Sequence, residues 1–459
     1  MLLTYLLVYI ATFVGLFFGL FFLISLFEKK TKNPLVPEKK PFVSVVIPAY
    51  NEASNLKKCI NSVLAIDWPK DKLEIIVIDD GSTDDTYKIA KSIAGKESNV
   101  RVLRQKNKGK GTALNLGIRI AKGDFIATLD ADSFPTKDVL NHMMGYFSDK
   151  EMMIVTPALR ISNPKGILGK IQHIEYLMGI CMRKAFASLN SVYITPGPFS
   201  VFRKSFFEKH GYFDEHNITE DTEIGLRAQI RNCKMENSIN AVVYTVAPSS
   251  FKSLLNQRIR WYAGLVDNTL RYKQIISKKY GYLGLITLPS AFITTGLLLV
   301  LIGNLIYSYL KNIKDTIVNL SLVNFDISPL LKPEFLKLEY IIYQMTNPMF
   351  FLFIISIIFT ILIILVGKYK SKDRKGIKLD FLYFLILYCI LYAFWWVSML
   401  LLKLFGVEIG WGKDIKKPEV FRMHENYRNF RHRKSADFQM LRNDCIYDIK
   451  KNGKKNKHI

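Results

Sequence analysis

The sequence of 459 residues has few cysteines and few acidic residues for its length. An odd number of cysteines without a CxxC pair argues against a disulfide scaffold and against a zinc site; the five are Cys59, Cys181, Cys233, Cys389 and Cys445. Asp and Glu number 39 against 64 Lys and Arg, which leaves a net charge of +25. A large positive net charge is typical of proteins that bind nucleic acid or anionic membranes. The mean hydropathy of +0.13 and the lack of an aromatic-interleaved basic module favour membrane lipids and predict no nucleic-acid partner.

Long apolar stretches predict about four membrane helices. Residues 2–27 carry no charged side chain and exceed the roughly 20 residues that a membrane helix needs. They lack the basic start and small-residue cleavage site of a secretory signal peptide, so we expect a retained helix. Residues 283–310, 341–366 and 381–402 are further candidates.

The charge of the connecting loops predicts the orientation in the membrane. The basic loop 367–378 belongs in the cytoplasm and the near-neutral segment 311–340 outside, so the intervening globular domain is expected to be cytoplasmic. Three crossings after that domain would put the basic tail 413–459 outside, against the charge rule. The sequence leaves this conflict open.

Residues 42–272 predict a globular α/β domain. Short apolar runs at 42–48, 73–79, 100–103 and 124–129 alternate with helix-like stretches at 53–65, 84–94 and 111–121. Such alternation predicts a largely parallel sheet, with ligands at the carboxyl ends of its strands. Two amphipathic helices are predicted at 167–189 and 251–272, the first of which either packs in a core or lies on the membrane surface. The expected divisions are 1–27, 42–272, 281–405 and a basic tail at 406–459.

Two acidic pairs follow predicted strands. Asp79 and Asp80 could accept hydrogen bonds from a uracil imide or a ribose hydroxyl, although a strand end followed by a helix cap also explains them. Asp130 and Asp132 are two positions apart and therefore point the same way in an extended chain. Two such carboxylates could hold Mg²⁺ or Mn²⁺, which would bridge diphosphate oxygens, or they could form a surface turn.

Three other motifs carry polar groups suited to chemistry. Lys110 lies in a glycine-containing basic loop before a helix, a place that favours anions, but the loop does not match the GxxxxGK[ST] phosphate motif. Glu220 and Asp221 begin a helix, where capping could explain them, and Asp221 could also act as a general base. On the second amphipathic helix, Gln257, Arg260, Trp261 and Gly264 share one face. That face could bind diphosphate and stack on a sugar, or it could anchor an interfacial helix.

Taken in order, these motifs resemble those of the membrane-bound family 2 glycosyltransferases, which include the cellulose, chitin, hyaluronan and poly-N-acetylglucosamine synthases. The resemblance covers about residues 43–261. It is carried by Pro48-Ala49-Tyr50-Asn51-Glu52, Asp79-Asp80-Gly81-Ser82, Lys110 before Ala113-Leu114-Asn115, Asp130-Ala131-Asp132, Thr219-Glu220-Asp221, and Gln257 with Arg260-Trp261. It implies a Rossmann-like GT-A domain that binds a UDP-sugar with Mg²⁺ or Mn²⁺.

The resemblance also implies a role for each motif residue. Asp80, alone or with Asp79, would contact the uridine, and Lys110 would help to hold the donor. Asp130 and Asp132 would coordinate the metal, with Asp221 as the base and Glu220 beside it. The further residues implied to bind substrate are Ala49 and Glu52 of the first motif, Gly197 of an acceptor-side segment, Gln257 and Arg260 at the diphosphate, and Trp261 at the acceptor sugar.

The resemblance further implies a processive, inverting β-glycosyltransferase of the plasma membrane that extends a polysaccharide and passes it outward. No PilZ-like domain follows the helices, which counts against a regulated cellulose synthase. The small number of spans leaves open whether one chain forms a channel or needs a second copy or an export partner. The alternative is transfer of one sugar to a polyprenyl phosphate or another lipid acceptor, and a pore or binding protein with a decayed transferase domain is a third class.

Overall fold

The computed structural model describes residues 2–28, 36–162, 164–325, 327, 342, 345–371, 373 and 376–410. Most of the predicted basic tail, residues 411–459, and parts of the segments at 29–35, 326–344 and 372–375 lie outside the described residues. Within them, the chain divides into one unit that ends at Leu400 and a short second unit that begins at Leu401.

An eight-stranded mixed sheet forms the centre of the globular domain. Its strands are β1 (Val43–Ala49), β2 (Leu73–Asp79), β3 (Val100–Arg104), β4 (Phe125–Thr128), β5 (Ser133–Pro135), β6 (Met152–Ile161), β7 (Ser200–Arg203) and β8 (Lys234–Thr245), in the order β3-β2-β1-β4-β7-β6-β8-β5. Strands β1 to β4 pair in parallel, as the sequence predicts. The other half, which the prediction lacks, joins through β7, antiparallel to both β4 and β6.

The sheet is covered by helices whose apolar residues face it. They are α2 (Leu56–Leu64), α3 (Thr86–Ala94), α4 (Lys110–Ile120), α5 (Val139–Met143), α7 (Lys204–His210) and α8 (Glu220–Ile230). One apolar cluster, which includes Ile60 and Val63, packs α2 on β1 and β2, and a second, which includes Leu114 and Ile118, packs α4 on the other face. The continuous apolar strands require both faces to be covered, since parallel strands are buried on both sides.

Two longer helices lie between this domain and the apolar helices. These are α6 (Gly166–Ser188) and α9 (Phe251–Arg271). Helix α6 meets the sheet through an ion pair of Lys184 with Glu236 on β8 (3.0 Å). Its apolar side packs on the helices that could span a membrane. The predicted alternatives for this segment were packing in a core and lying on the membrane surface. In the structure α6 is packed on both sides, between the domain and the apolar helices.

Four described helices are long and apolar enough to cross a membrane, namely α1 (Leu2–Glu28), α10 (Leu288–Leu322), α11 (Pro348–Ser371) and α12 (Lys378–Leu404). A π-helical turn at Leu283–Thr287 precedes α10. Phe22 of α1 and Ile363 of α11 share an apolar cluster with Cys181 of α6. Phe384 of α12 packs with Ile174 of α6 in a neighbouring cluster.

Candidate functional site

The predicted site residues meet at the carboxyl ends of the parallel strands. In the register of the sheet Ala49 of β1 lies opposite Asp79 of β2, and Val46 lies opposite Thr128 of β4. The residues that follow these strands, Asp80 and Asp130, therefore leave the sheet at one edge. This is the edge at which ligands bind in open α/β sheets.

Lys110 joins two of the acidic motifs. Its Nζ lies 2.7 Å from Asp130 Oδ1 and 2.9 Å from Glu220 Oε1. Burial opposes its charge, but the carboxylates of Asp130, Glu220 and Asp221 outweigh that effect and hold the pKa of Lys110 well above its ordinary value. The first residue of α4 and the first residue of α8 are thereby fixed to Asp130, two residues after the end of β4.

Asp221, the predicted base, lies beside this ion pair. Its Oδ1 accepts a hydrogen bond from the backbone N–H of Thr222 (2.8 Å). Burial, and after it the charge of Glu220, raise the pKa of Asp221 to about 6, although Lys110 and Arg260 act in the opposite direction. A carboxylate with a pKa in this range is suited to take a proton near neutral pH. The third acid of this helix, Glu223, is used structurally, since it pairs with Arg227.

Asp130 and Asp132 form the acidic pair that could hold a metal. Asp132 Oδ1 accepts a hydrogen bond from Ser133 Oγ (2.9 Å). Burial, followed by the charges of Asp130 and Glu52, raises the pKa of Asp132 to about 7. Excess negative charge and hard oxygen donors suit Mg²⁺ or Mn²⁺. Among the described residues, no group of three or more His, Cys, Asp or Glu side chains is arranged as a metal site.

Asp79 and Asp80 hold the loop that leads to Lys110. Asp79 is fully buried, with Arg104 Nε 3.0 Å from its Oδ2. The two oxygens of Asp80 accept hydrogen bonds from Gln105 Nε2 (2.7 Å), the backbone N–H of Lys108 (3.0 Å) and that of Gly109 (2.8 Å). The structure thus shows these acids supporting the loop, and their predicted contact with uridine stays a prediction.

The remaining predicted residues of the domain border the same cluster. The backbone oxygen of Ala49 accepts from the N–H of Asp80 (2.8 Å). Burial raises the pKa of Glu52, although a hydrogen bond from Asn55 opposes this. Gly197 lies against the central ion pair, where a Cβ atom would be 2.5 Å from Asp130 Oδ2 and 2.8 Å from Lys110 Nζ. A side chain at this position would therefore displace the ends of the Asp130 and Lys110 side chains.

Of the residues predicted on α9, the structure brings Arg260 to the cluster. Arg260 Nη1 donates to the backbone oxygen of Ile218 (3.2 Å), just before α8, and its charge acts on Asp221. Burial lowers the pKa of Arg260. The Oε1 atom of Gln257 is buried and has no hydrogen-bond partner among the described residues. Trp261 is half-buried. Because Gln257 and Trp261 share the Arg260 face of α9 by helical spacing, we expect an amide, a guanidinium and an indole to form a second layer over the carboxylates.

Two charged residues near Trp261 were not predicted as site residues. Arg258 is fully buried and lies 2.6 Å from Glu175 of α6. Its guanidinium carbon is 4.2 Å from the centroid of the Trp261 ring. The sequence could have indicated Arg258 by its position inside the Gln257–Trp261 motif. Helical spacing, however, puts Arg258 off the face that Gln257, Arg260 and Trp261 share. Nothing in the sequence pairs it with Glu175, 83 positions away.

Comparison with known proteins agrees with this geometry. Residues 44–211 match the family described as Glycosyl transferase family 2. Over 232 residues the chain is 34% identical to the poly-β-1,6-N-acetyl-D-glucosamine synthase of Staphylococcus aureus (strain COL), an alignment that covers 50% of this chain and 56% of that protein. The synthase of the same name from Staphylococcus epidermidis is 32% identical over 231 residues, with the same two coverages. The chain thus spans about half the length of the curated relatives it matches.

A solved structure supports the fold. The mannosyltransferase PcManGT from Pyrobaculum calidifontis, determined in complex with GDP-Man and Mn²⁺, superposes with a TM-score of 0.50 at 22% identity. The match covers 63% of this chain and 86% of that one. With the predicted motifs gathered at one edge of such a sheet, this chain carries a family 2 glycosyltransferase domain of GT-A fold, related to that of the poly-β-1,6-N-acetyl-D-glucosamine synthases.

Proposed function

We propose that the chain is a processive, inverting β-glycosyltransferase that uses a UDP-sugar to extend a polysaccharide and passes it across the plasma membrane. N-Acetylglucosamine is the favoured sugar because the curated relatives are named as synthases of its polymer. The catalytic domain faces the cytoplasm in this proposal, in keeping with the basic loop that begins near Gly367.

The observation that carries the proposal is the contact of α9 with the segment just before α8, which brings the charge of Arg260 next to Asp221. Arg260 Nη1 donates to the backbone oxygen of Ile218, just before α8, and by helical spacing Gln257 and Trp261 share the Arg260 face of α9. Guanidinium and amide groups suit diphosphate oxygens, and an indole face suits a sugar ring. A donor and an acceptor could then meet between the two layers.

A divalent cation fits the donor set beside this position. Asp130 and Asp132 would hold Mg²⁺ or Mn²⁺. Burial, followed by the charge of Asp130, raises the pKa of Asp132 to about 7, and a cation would relieve the repulsion between the two carboxylates. When bound, the ion would stabilise negative charge on the departing diphosphate.

The chain's own residues then have distinct tasks. Asp221 would accept the proton of the attacking acceptor hydroxyl, and its raised pKa matches that role. Lys110 holds Asp130 and Glu220 in place and would supply positive charge toward the donor. Arg260 would contact the diphosphate and Trp261 the acceptor sugar.

The alternative is addition of a single sugar to a polyprenyl phosphate or another lipid acceptor. The presence of Gln257, Arg260 and Trp261 on one helix favours the polymer, because an indole can hold a chain by stacking while the chain slides between additions.

Sizing the product separates these alternatives. The purified full chain in detergent would be incubated with a panel of UDP-sugars and either Mn²⁺ or Mg²⁺. We expect UDP release together with a polymer, and the largest yield with UDP-N-acetylglucosamine. A single-sugar lipid product would favour the alternative, and absence of UDP release with every donor would contradict both.

A matched pair of variants controls this experiment. Asp132→Ala removes a proposed cation ligand and should weaken metal-dependent UDP binding. Asp149→Asn changes a surface acid that pairs with Lys234, and it should bind UDP as the wild type does. Equal UDP affinity of wild type and Asp132→Ala across a Mn²⁺ titration would contradict the metal assignment.

A further inference from the structure

A buried ion pair lies behind the proposed acceptor site. Arg258 of α9 is fully buried, and its Nη2 is 2.6 Å from Oε2 of Glu175 on α6. The other carboxylate oxygen of Glu175 accepts a hydrogen bond from the hydroxyl of Tyr388 on α12 (3.3 Å). The pair therefore joins three helices, one of which is a candidate membrane span.

The same guanidinium lies close to two indole rings. Its central carbon is 4.2 Å from the ring centroid of Trp261 and 5.5 Å from that of Trp395 on α12. A cation within about 6 Å of an indole face is attracted by the ring, and more strongly where water is excluded. The Arg258 charge thus favours one orientation of the Trp261 ring over others.

Burying the charges of Arg258 and Glu175 is unfavourable, which indicates that the pair has a role other than stabilising the fold. A buried ion pair commonly stabilises a fold no better than apolar residues of the same volume. Here the Nε and Nη1 atoms of Arg258 have no hydrogen-bond partner among the described residues. A guanidinium kept in place with two of its nitrogens unpaired is better explained by what it contacts, namely the Trp261 ring.

We propose that the Arg258–Glu175 pair is a positioning unit, which fixes the Trp261 indole for the acceptor sugar and links it through Tyr388 to membrane helix α12. This inference rests on the proposed function, in which Trp261 stacks on the growing chain. A second contact strengthens the link, since Tyr262 stacks on Trp396 of α12 with centroids 4.7 Å apart and planes 14° apart.

The test replaces both charges together, because removal of one would leave the other buried and unpaired. Arg258→Met with Glu175→Gln keeps the approximate volumes and removes the cation from the indole. We expect this double variant to retain the wild-type donor KM within about twofold, since its proposed donor contacts are unchanged. Its product should shorten to the length made by Trp261→Ala, and adding Trp261→Ala to the double variant should shorten it no further.

Arg271→Met is the matched control on the same helix. Arg271 pairs with Asp214 at a half-exposed position away from Trp261, so this variant should keep wild-type product length. Wild-type product length in the Arg258/Glu175 double variant would overturn the inference. A loss of thermal stability with proportionate losses of donor affinity and product length would also overturn it, because a merely structural role predicts that pattern.

A measurement without substrate separates this inference from the proposed function. For the wild type and for the double variant, the fluorescence of the corresponding Trp261→Phe derivative is subtracted, and the acrylamide quenching of the remaining Trp261 signal is measured. We expect quenching to increase in the double variant, and unchanged quenching would contradict positioning by Arg258. If the wild type makes no polymer, the proposed function fails; if it does and the double variant matches it, the positioning role alone fails.

Discussion

At the scale of single residues, the proton on Asp221 decides whether the proposed base can act. Asp221→Asn keeps the size of the side chain and removes the base, and we expect turnover to fall about 10²- to 10⁴-fold. UDP affinity should remain near that of the wild type. Retention of more than about a tenth of the wild-type turnover would exclude Asp221 as the base, since that is well above the range for a lost general base.

The raised pKa of Asp221 also predicts a pH dependence. Because the base acts when ionised, kcat/KM should rise as the pH passes about 6. The measurement would be made at saturating Mn²⁺, because a bound cation would keep Asp132 ionised and so remove its titration from the pH profile of kcat/KM.

The effect on stability has the opposite direction. Folding raises this pKa from 3.8, so the folded state binds the proton more tightly, and the contribution is present below pH 3.8 and is lost as the pH rises through about 6. The wild type should therefore lose stability relative to Asp221→Asn across that interval. A constant difference in Tm between the two proteins from pH 4 to pH 7 would contradict the burial of this charge.

Gly197 gives a test of the ion pair at the centre of the site. In Gly197→Ala the new Cβ would meet the ends of the Asp130 and Lys110 side chains. Both ends can move, so we expect little change in Tm, but a shift of about 1 Å can cost about 10²-fold in rate. Activity and Tm measured on the same preparation check this, and Gly296→Ala, in open space on α10, is the control. Wild-type turnover in Gly197→Ala would show that the geometry of the pair is unimportant.

The residues of this cluster could be predicted from the sequence, but their pairing could not. Lys110, Asp130 and Glu220 each belong to a recognisable motif. Only the fold shows that one lysine contacts both acids, because the motifs lie up to 110 positions apart. The pairing of buried Asp79 with Arg104 depends in the same way on the register of β2 and β3.

At the scale of elements, the contact of α9 with the start of α8 sets the distance between the two layers of the site. Gly264 of α9 packs directly on Thr219, and a Cβ atom there would overlap the threonine side chain. Gly264→Ala should therefore destabilise the protein by about 1–3 kcal/mol, as overpacking does. It should also lower activity, since Thr219 immediately precedes Glu220 and Asp221.

A second substitution shows whether overlap is the cause. Thr219→Ala in the Gly264→Ala background removes both the hydroxyl and the methyl group that the new Cβ would meet, and it should restore part of the lost Tm. Thermal unfolding and turnover of the two single variants and the double variant give the coupling. Additive losses would mean that the two residues do not press on each other.

The prediction of elements succeeded where local pattern decides and failed where distant pairing decides. The four parallel strands were predicted within one or two residues. Helix α3 begins at Thr86 rather than at Asp84, with Asp85 as its N-cap residue, and the Asp84 carboxylate accepts from the N–H of Thr86 from outside the helix. The half of the sheet formed by β5 to β8 was absent from the prediction, since β7 is a short strand whose partners lie far away in the sequence.

At the scale of the whole molecule, contacts of α6 indicate which ends of the apolar helices lie near the catalytic domain. A Cβ atom on Gly367, near the end of α11, would meet the backbone oxygen of Leu177. His173 Nε2 lies 2.9 Å from Asp373 and its Nδ1 lies 2.7 Å from Asp380, at the start of α12. The end of α11 and the start of α12 are therefore on the side of the domain, and the cytoplasmic position of that side stays a prediction.

The start of α10 lies on this side as well, since Leu283 and Leu288 pack with Tyr193 of the domain. Helix α10 is about 50 Å long at 1.5 Å per residue. That length exceeds the hydrocarbon core of about 30 Å. The far end of α10 should therefore emerge on the opposite side of the membrane.

Cysteine labelling in cells tests this arrangement. Tyr369→Cys lies at a highly exposed position near the end of α11, and Ser321→Cys lies at an exposed position near the end of α10. Each would be placed in a Cys445→Ser background, which serves as the blank. A membrane-impermeant maleimide should label Ser321→Cys in intact cells, and Tyr369→Cys only after the cells are permeabilised. The physical reason is that positive charge near α11 resists transfer across the membrane. Labelling of Tyr369→Cys in intact cells would put the carboxylate cluster outside, away from cytoplasmic nucleotide sugars, and would contradict the proposed direction of synthesis and export.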